Sequence, residues 1–183
     1  MWRTLLTGLL TLCLLTCSPA SANERPDAER LLAKQPTQRT LVAGTLIQGT
    51  TQDSLFSGRN QVGEILTALV AGDVKDATGQ AVIPAGSRVA LRIARLASAT
   101  NKTLSDGQLA LEVTSLTVQD REYPVSIRLE STRHGLQGHG VTSRDMNRVG
   151  SGTMIHWVSG DVVVPRGTLI LFVLPQPLTV ATR

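Results

Sequence analysis

Two stretches far apart in the chain share one pattern. Val82-Ile83-Pro84-Ala85-Gly86-Ser87-Arg88-Val89 is matched by Val163-Val164-Pro165-Arg166-Gly167-Thr168-Leu169-Ile170. Leu41-Val42-Ala43-Gly44-Thr45-Leu46 is a looser copy without the proline. Proline presets φ for the second position of a tight turn. Glycine two positions on accepts positive φ without a steric penalty. The Ser or Thr hydroxyl can then bond the backbone nearby and close the turn. Apolar residues on both sides make each copy a corner between two strands, with Gly44, Pro84, Gly86, Pro165 and Gly167 as its structural residues. A chain that turns such a corner repeatedly belongs to the all-β class, as a mostly antiparallel barrel or sandwich.

The segments between the corners support that class. Val89, Leu91 and Ile93 alternate with Arg88, Ala90 and Arg92, the period of a strand with one face buried. Leu109, Leu111 and Val113 share a face, and Leu116 and Val118 continue one residue out of phase, which predicts a β-bulge between them. A turn around 119–121 and the alternation of Tyr123, Val125, Ile127 and Leu129 complete an antiparallel hairpin. Thr78-Gly79 predicts a second hairpin turn. The 61–74 stretch fits a helix face through Ile65, Leu66, Leu69 and Val70. Its flanking glycines favour a strand. Residues 169–174 are apolar on both faces, as in a strand buried on both sides or lying in a subunit interface.

The first 22 residues predict a secretory signal: Arg3, an apolar core over 5–15, and the small-x-small site Ala20-Ser21-Ala22. Both cysteines, Cys13 and Cys17, fall inside it, so the mature chain would use no disulfide. An exported chain without disulfides fits the periplasm, or the periplasmic face of the outer membrane, of a bacterium. In an alternative reading, Leu14-Leu15-Thr16-Cys17 is a lipobox and Cys17 is lipidated, although Thr16 is larger than the residue usual there. Residues 23–39 are polar with two prolines and suggest a tether. Residues 40–183 then form a single β domain.

The net charge of +4 favours anionic partners, such as lipid headgroups or cell-wall polymers. Aromatics are only 3% of the chain, too few for a stacking platform, so nucleic acid is not an expected partner. Residues 132–160 stand out as a glycine-rich insertion carrying all three histidines. Arg133, Arg144, Arg148 and Trp157 are its candidate docking residues, since arginine and tryptophan most often anchor interfaces. A competing reading makes Trp157 ordinary core. His134, His139 and His156 are weak candidate metal ligands, unsupported by cysteine or by an established spacing. The sequence carries no nucleophile elbow, no phosphate-binding glycine motif and no carboxylate pair singled out for acid–base work. The expectation is a protein that is not an enzyme and needs no cofactor.

Gly44-Thr45-Leu46-Ile47-Gln48-Gly49, the stretch 63–70, Thr78-Gly79, the element 83–88 and the closing strands together resemble the C-terminal domain of the TrbI-type scaffold proteins of type IV secretion and conjugation. The similarity touches most of 40–180 and is densest over 44–88. Small stand-alone exported bacterial domains of unassigned role look equally similar. The resemblance implies a β-barrel that self-associates, or joins envelope proteins, in an outer-membrane core complex. That family also has a long cytoplasmic and transmembrane N-terminal part and a helix pair that crosses the outer membrane. Residues 132–160 fall where the helix pair would be, but hold no apolar run long enough to span a bilayer. The alternative is a periplasmic module that binds an anionic polymer or small ligand, such as peptidoglycan, through the basic stretch 132–160.

Overall fold

The computed structural model describes residues 37–97, 108–132, 135–142, 144–145, 154–158 and 161–182, all within the compact unit Pro36–Arg183. The described chain is almost entirely β. Seven strands close a barrel: β2 (Leu46–Thr51), β4 (Ile65–Val70), β7 (Arg88–Ala97), β8 (Gln108–Val118), β9 (Arg121–Thr132), β10 (Gly135–Gly138) and β13 (Leu169–Val173). Around the barrel the order is β10-β13-β2-β4-β7-β8-β9, and β9 pairs with β10 to close it. Every pairing is antiparallel except β10 with β13.

Three small sheets flank the barrel. They are β1 (Thr37–Leu41) with β14 (Leu178–Thr182), β5 (Val74–Lys75) with β6 (Ala81–Ile83), and β11 (His156–Val158) with β12 (Asp161–Val164) and β3 (Leu55–Phe56). β1 begins inside the segment expected as a tether. Its residues from Thr37 to Thr40 are mostly exposed and polar, so they leave no hydrophobic signal, and their partner β14 lies at the far end of the chain.

The barrel interior is packed with side chains. Ile47, Leu91, Ile93, Leu111, Val113, Leu129, Leu136 and Phe172 are all fully buried. Each such side chain contributes about 1.5–3 kcal/mol by leaving water. The alternation expected for β7 is observed, with Val89, Leu91 and Ile93 inward and Arg88 and Arg92 exposed. The bulge is at Thr114, which β7 skips in passing from Leu91–Val113 to Ala90–Ser115. The β8–β9 hairpin turns on Gln119 and Asp120, both with positive φ, as a tight two-residue turn requires. Residues 65–70 are a strand. β13 is buried on both faces from Leu169 to Phe172 within this single chain.

The corners are the same device used three times. Gly44, Gly86 and Gly167 have φ of 84°, 81° and 83°. The hydroxyls of Thr45, Ser87 and Thr168 donate to the carbonyls of Val42, Pro84 and Pro165 at 2.7, 2.7 and 2.6 Å. Each glycine N–H donates across to a partner strand, to Leu174, Val70 and Thr51 respectively, at 2.8 Å. Those residues return a bond from their own N–H to the carbonyl of Thr45, Ser87 or Thr168. Opposite every corner lie three residues of the partner strand: 175–177, 71–73 and 52–54. Both strands of the ribbon therefore bend together without slipping. Along 37–56 and 163–182 one antiparallel register runs unbroken through two corners, from β1/β14 through β2/β13 to β3/β12.

Part of the stretch expected as an insertion is barrel wall. β10 lies within 132–160 and is the strand that closes the barrel. Its glycines have a steric reason. A Cβ on Gly135 would sit 2.5 Å from the Leu169 carbonyl oxygen, and one on Gly138 would sit 3.1 Å from Phe172 Cβ. At Gly135 the parallel closure brings backbone against backbone and only glycine leaves room, while Gly138 is tightly packed against side chains.

Candidate functional site

The residues singled out in 132–160 are spread over different elements. Arg144 is exposed on a helical turn with Asp145. His139 is exposed in the turn that follows β10. His156 and Trp157 are on β11, in the three-stranded sheet outside the barrel. His156 is exposed. Arg133, His134, Arg148 and Cys17 lie outside the described residues. Among the described residues no group of three His, Cys, Asp or Glu side chains could hold a metal ion. No helix of the described residues is long and apolar enough to cross a membrane.

Most described carboxylates hold turns and strands together. Asp53 accepts from the Thr67 N–H at 2.7 Å, and Asp73 from the Ala85 N–H at 2.8 Å, which ties one side of a corner to the other. Asp161 bonds Ser57 at 2.8 Å, joining β12 to the residue after β3. Glu112 sits between Arg92 and Ser126 on the outer face of β7-β8-β9, and the bonds from Arg92 and then Ser126 hold its carboxyl below the usual range. Asp76 closes the β5–β6 turn by accepting from the Thr78 hydroxyl and from the Thr78 and Gln80 N–H groups. Arg39 of β1 reaches it at 2.9 Å. The Thr78 hydroxyl, Arg39 and the two amides together hold the carboxyl at about 2, against the partial burial that would raise it.

The concave surface lies at the end of the barrel where β2, β7 and β9 begin. β9 joins β10 only from Leu129 onward, and no strand among the described residues pairs with its first residues on that side. β14 faces this open edge across a furrow, with β1 on its other side. One part of the furrow, about 340 Å³, is apolar and lined by Pro124, Val125, Leu174, Pro175, Pro177 and Leu178. The next part, about 460 Å³, is polar and lined by Gln38, Arg121, Glu122, Tyr123, Thr179 and Ala181. The Tyr123 hydroxyl spans it and accepts from the Ala181 N–H at 3.0 Å. An extended segment or a small amphipathic group fits such a space by shape and polarity. The sequence pattern does not predict this furrow. Its one local signal is Leu174-Pro175-Gln176-Pro177-Leu178, where two prolines interrupt an apolar run.

No protein-family model matches the sequence, and a comparison with curated protein sequences found no match. Among solved structures, the chain is similar to ComB10 of the Com type IV secretion system of Helicobacter pylori. That match has 17% identity and a TM-score of 0.44, over 76% of this chain and 88% of that one.

Proposed function

We propose that the protein is a non-enzymatic scaffold of the bacterial envelope, exported to the periplasm or the periplasmic face of the outer membrane, where it assembles with copies of itself or with envelope proteins. The observation that carries this reading is how the polar groups and the core are used. The same corner holds the β-barrel at three places, and the carboxylates brace turns and strands. A furrow between two strand edges is one surface that the described residues leave for contact. A closed barrel with strand edges that no described strand covers suits assembly. The motifs over 44–88 add the resemblance to the type IV secretion scaffolds and make an outer-membrane core complex the setting proposed.

Light scattering on the chain from residue 23 tests the reading. A discrete oligomer supports it. A monomer up to about 100 μM overturns self-assembly. The second reading, binding of an anionic polymer, rests on the exposed Arg144. It predicts retention on peptidoglycan that is weakened in Arg144→Ala and lost at high salt.

A further inference from the structure

We propose that β1 and β14 form a hinged flap that opens as one unit while the seven-stranded barrel stays closed. The two strands pair with each other and with no barrel strand. Two-stranded ribbons are marginal on their own, so the flap depends on what fastens it down. Its apolar anchors are Leu41 and Val180, both buried in the common core, with Leu178 packed beside them. The polar fastenings are side-chain bonds at its two edges. Tyr123 takes the Ala181 N–H on the β14 side, and Arg39 reaches Asp76 on the β1 side.

The hinge is built into both strands. On one strand it is the corner 42–45, and on the other it is Pro175-Gln176-Pro177. Neither proline can donate a ladder bond. The register is the same on both sides of the hinge, so the ribbon can swing without re-pairing. The first pair of the flap is Thr37 with Thr182. A load applied through the chain that precedes Thr37 would enter the flap at this pair and reach the barrel only through the hinge. Opening would widen the furrow and uncover Val125 and Leu174 beside the open edge of β9.

Amide hydrogen exchange on the chain from residue 23 tests this, at several low concentrations of denaturant. The protected amides of β1 and β14 should exchange at least tenfold faster than those of β7 and β8, with a smaller denaturant slope, as local opening requires. Tyr123→Phe keeps the ring and removes one hydrogen bond. It should speed exchange in β1 and β14 about fivefold and leave β7 and β8 unchanged. Arg39→Gln should shift the same amides in the same direction. One common rate and slope for flap and barrel in the unmodified chain would overturn the proposal. An equal shift of both sets in Tyr123→Phe would overturn it as well.

Discussion

At the scale of single residues, the glycines divide into two kinds, and substitution separates them. Gly44 and Gly86 are needed for their backbone angle alone, because a Cβ at either would meet nothing within 4 Å. Gly135 has φ of 138°, and a Cβ there would also sit 2.5 Å from the Leu169 carbonyl oxygen. Alanine at Gly44 or Gly86 should cost about 1–2 kcal/mol, the penalty of holding an L-residue in a left-handed conformation. Alanine at Gly135 adds a collision with backbone at the seam of the barrel and should cost more than either, about 3 kcal/mol or above. Urea unfolding of the three variants checks the order. Equal losses would mean that β10 yields at little cost and is not a tight closure. The corner chemistry was legible from the sequence down to the hydroxyl, because proline, glycine and Ser/Thr act on their immediate neighbours. The glycines of β10 were not legible. The groups that crowd them, the Leu169 carbonyl at Gly135 and the Phe172 side chain at Gly138, are remote in sequence.

Among the elements, legibility followed the period of the apolar residues. β7, β8 and β9 alternate over ten or more residues, and the Thr114 bulge shows as a slip in phase. β10 has no alternation and merged with its glycine-rich surroundings. β1 is polar on most of its length and was absorbed into the tether. Arg144, His139, His156 and Trp157 were chosen for residue type within one stretch, and the fold spreads them over the turn after β10, a helical turn and the outer sheet. The β5–β6 hairpin carries a test of its own. In the fold the Asp76 carboxyl sits at about 2, against 3.8 ordinarily. A carboxyl depressed by folding stabilises the fold fully above its ordinary value, and that stabilisation is lost as pH falls through the folded value. The tie from the hairpin to β1 should therefore hold at pH 5 and weaken between about pH 4 and pH 2. Asp76→Asn should lower stability at pH 5 and flatten that part of the acid profile. A mutant with the same acid profile as the parent would show that Asp76 is not coupled to folding.

For the whole molecule, the decisive feature is the long ribbon that joins the first and last strands. β1 pairs with β14, β2 with β13 and β3 with β12, all in one register, and the barrel cannot close until β2, near the start of the folded unit, meets β13, near its end. Contacts of that separation carry a large loop-closure cost before they return any stability. Local hairpins such as β7–β8–β9 can form first, with the terminal ribbon last. A circular permutant makes this order measurable. Thr37 and Thr182 are already paired, so a short glycine-rich linker can join them, and the chain can be opened at the exposed Thr78–Gly79 turn. In the permutant the terminal ribbon becomes a local hairpin, and the pairings of β4 with β7 and of β5 with β6 become the remote ones. That exchange shortens the loop to be closed for six strands (β1, β2, β3, β12, β13 and β14) and lengthens it for four (β4, β5, β6 and β7). The permutant should fold faster than the natural order in stopped-flow refolding and keep the same β-sheet circular dichroism. A permutant that folds more slowly would place β4–β7 pairing, rather than closure of the terminal ribbon, at the rate-limiting step.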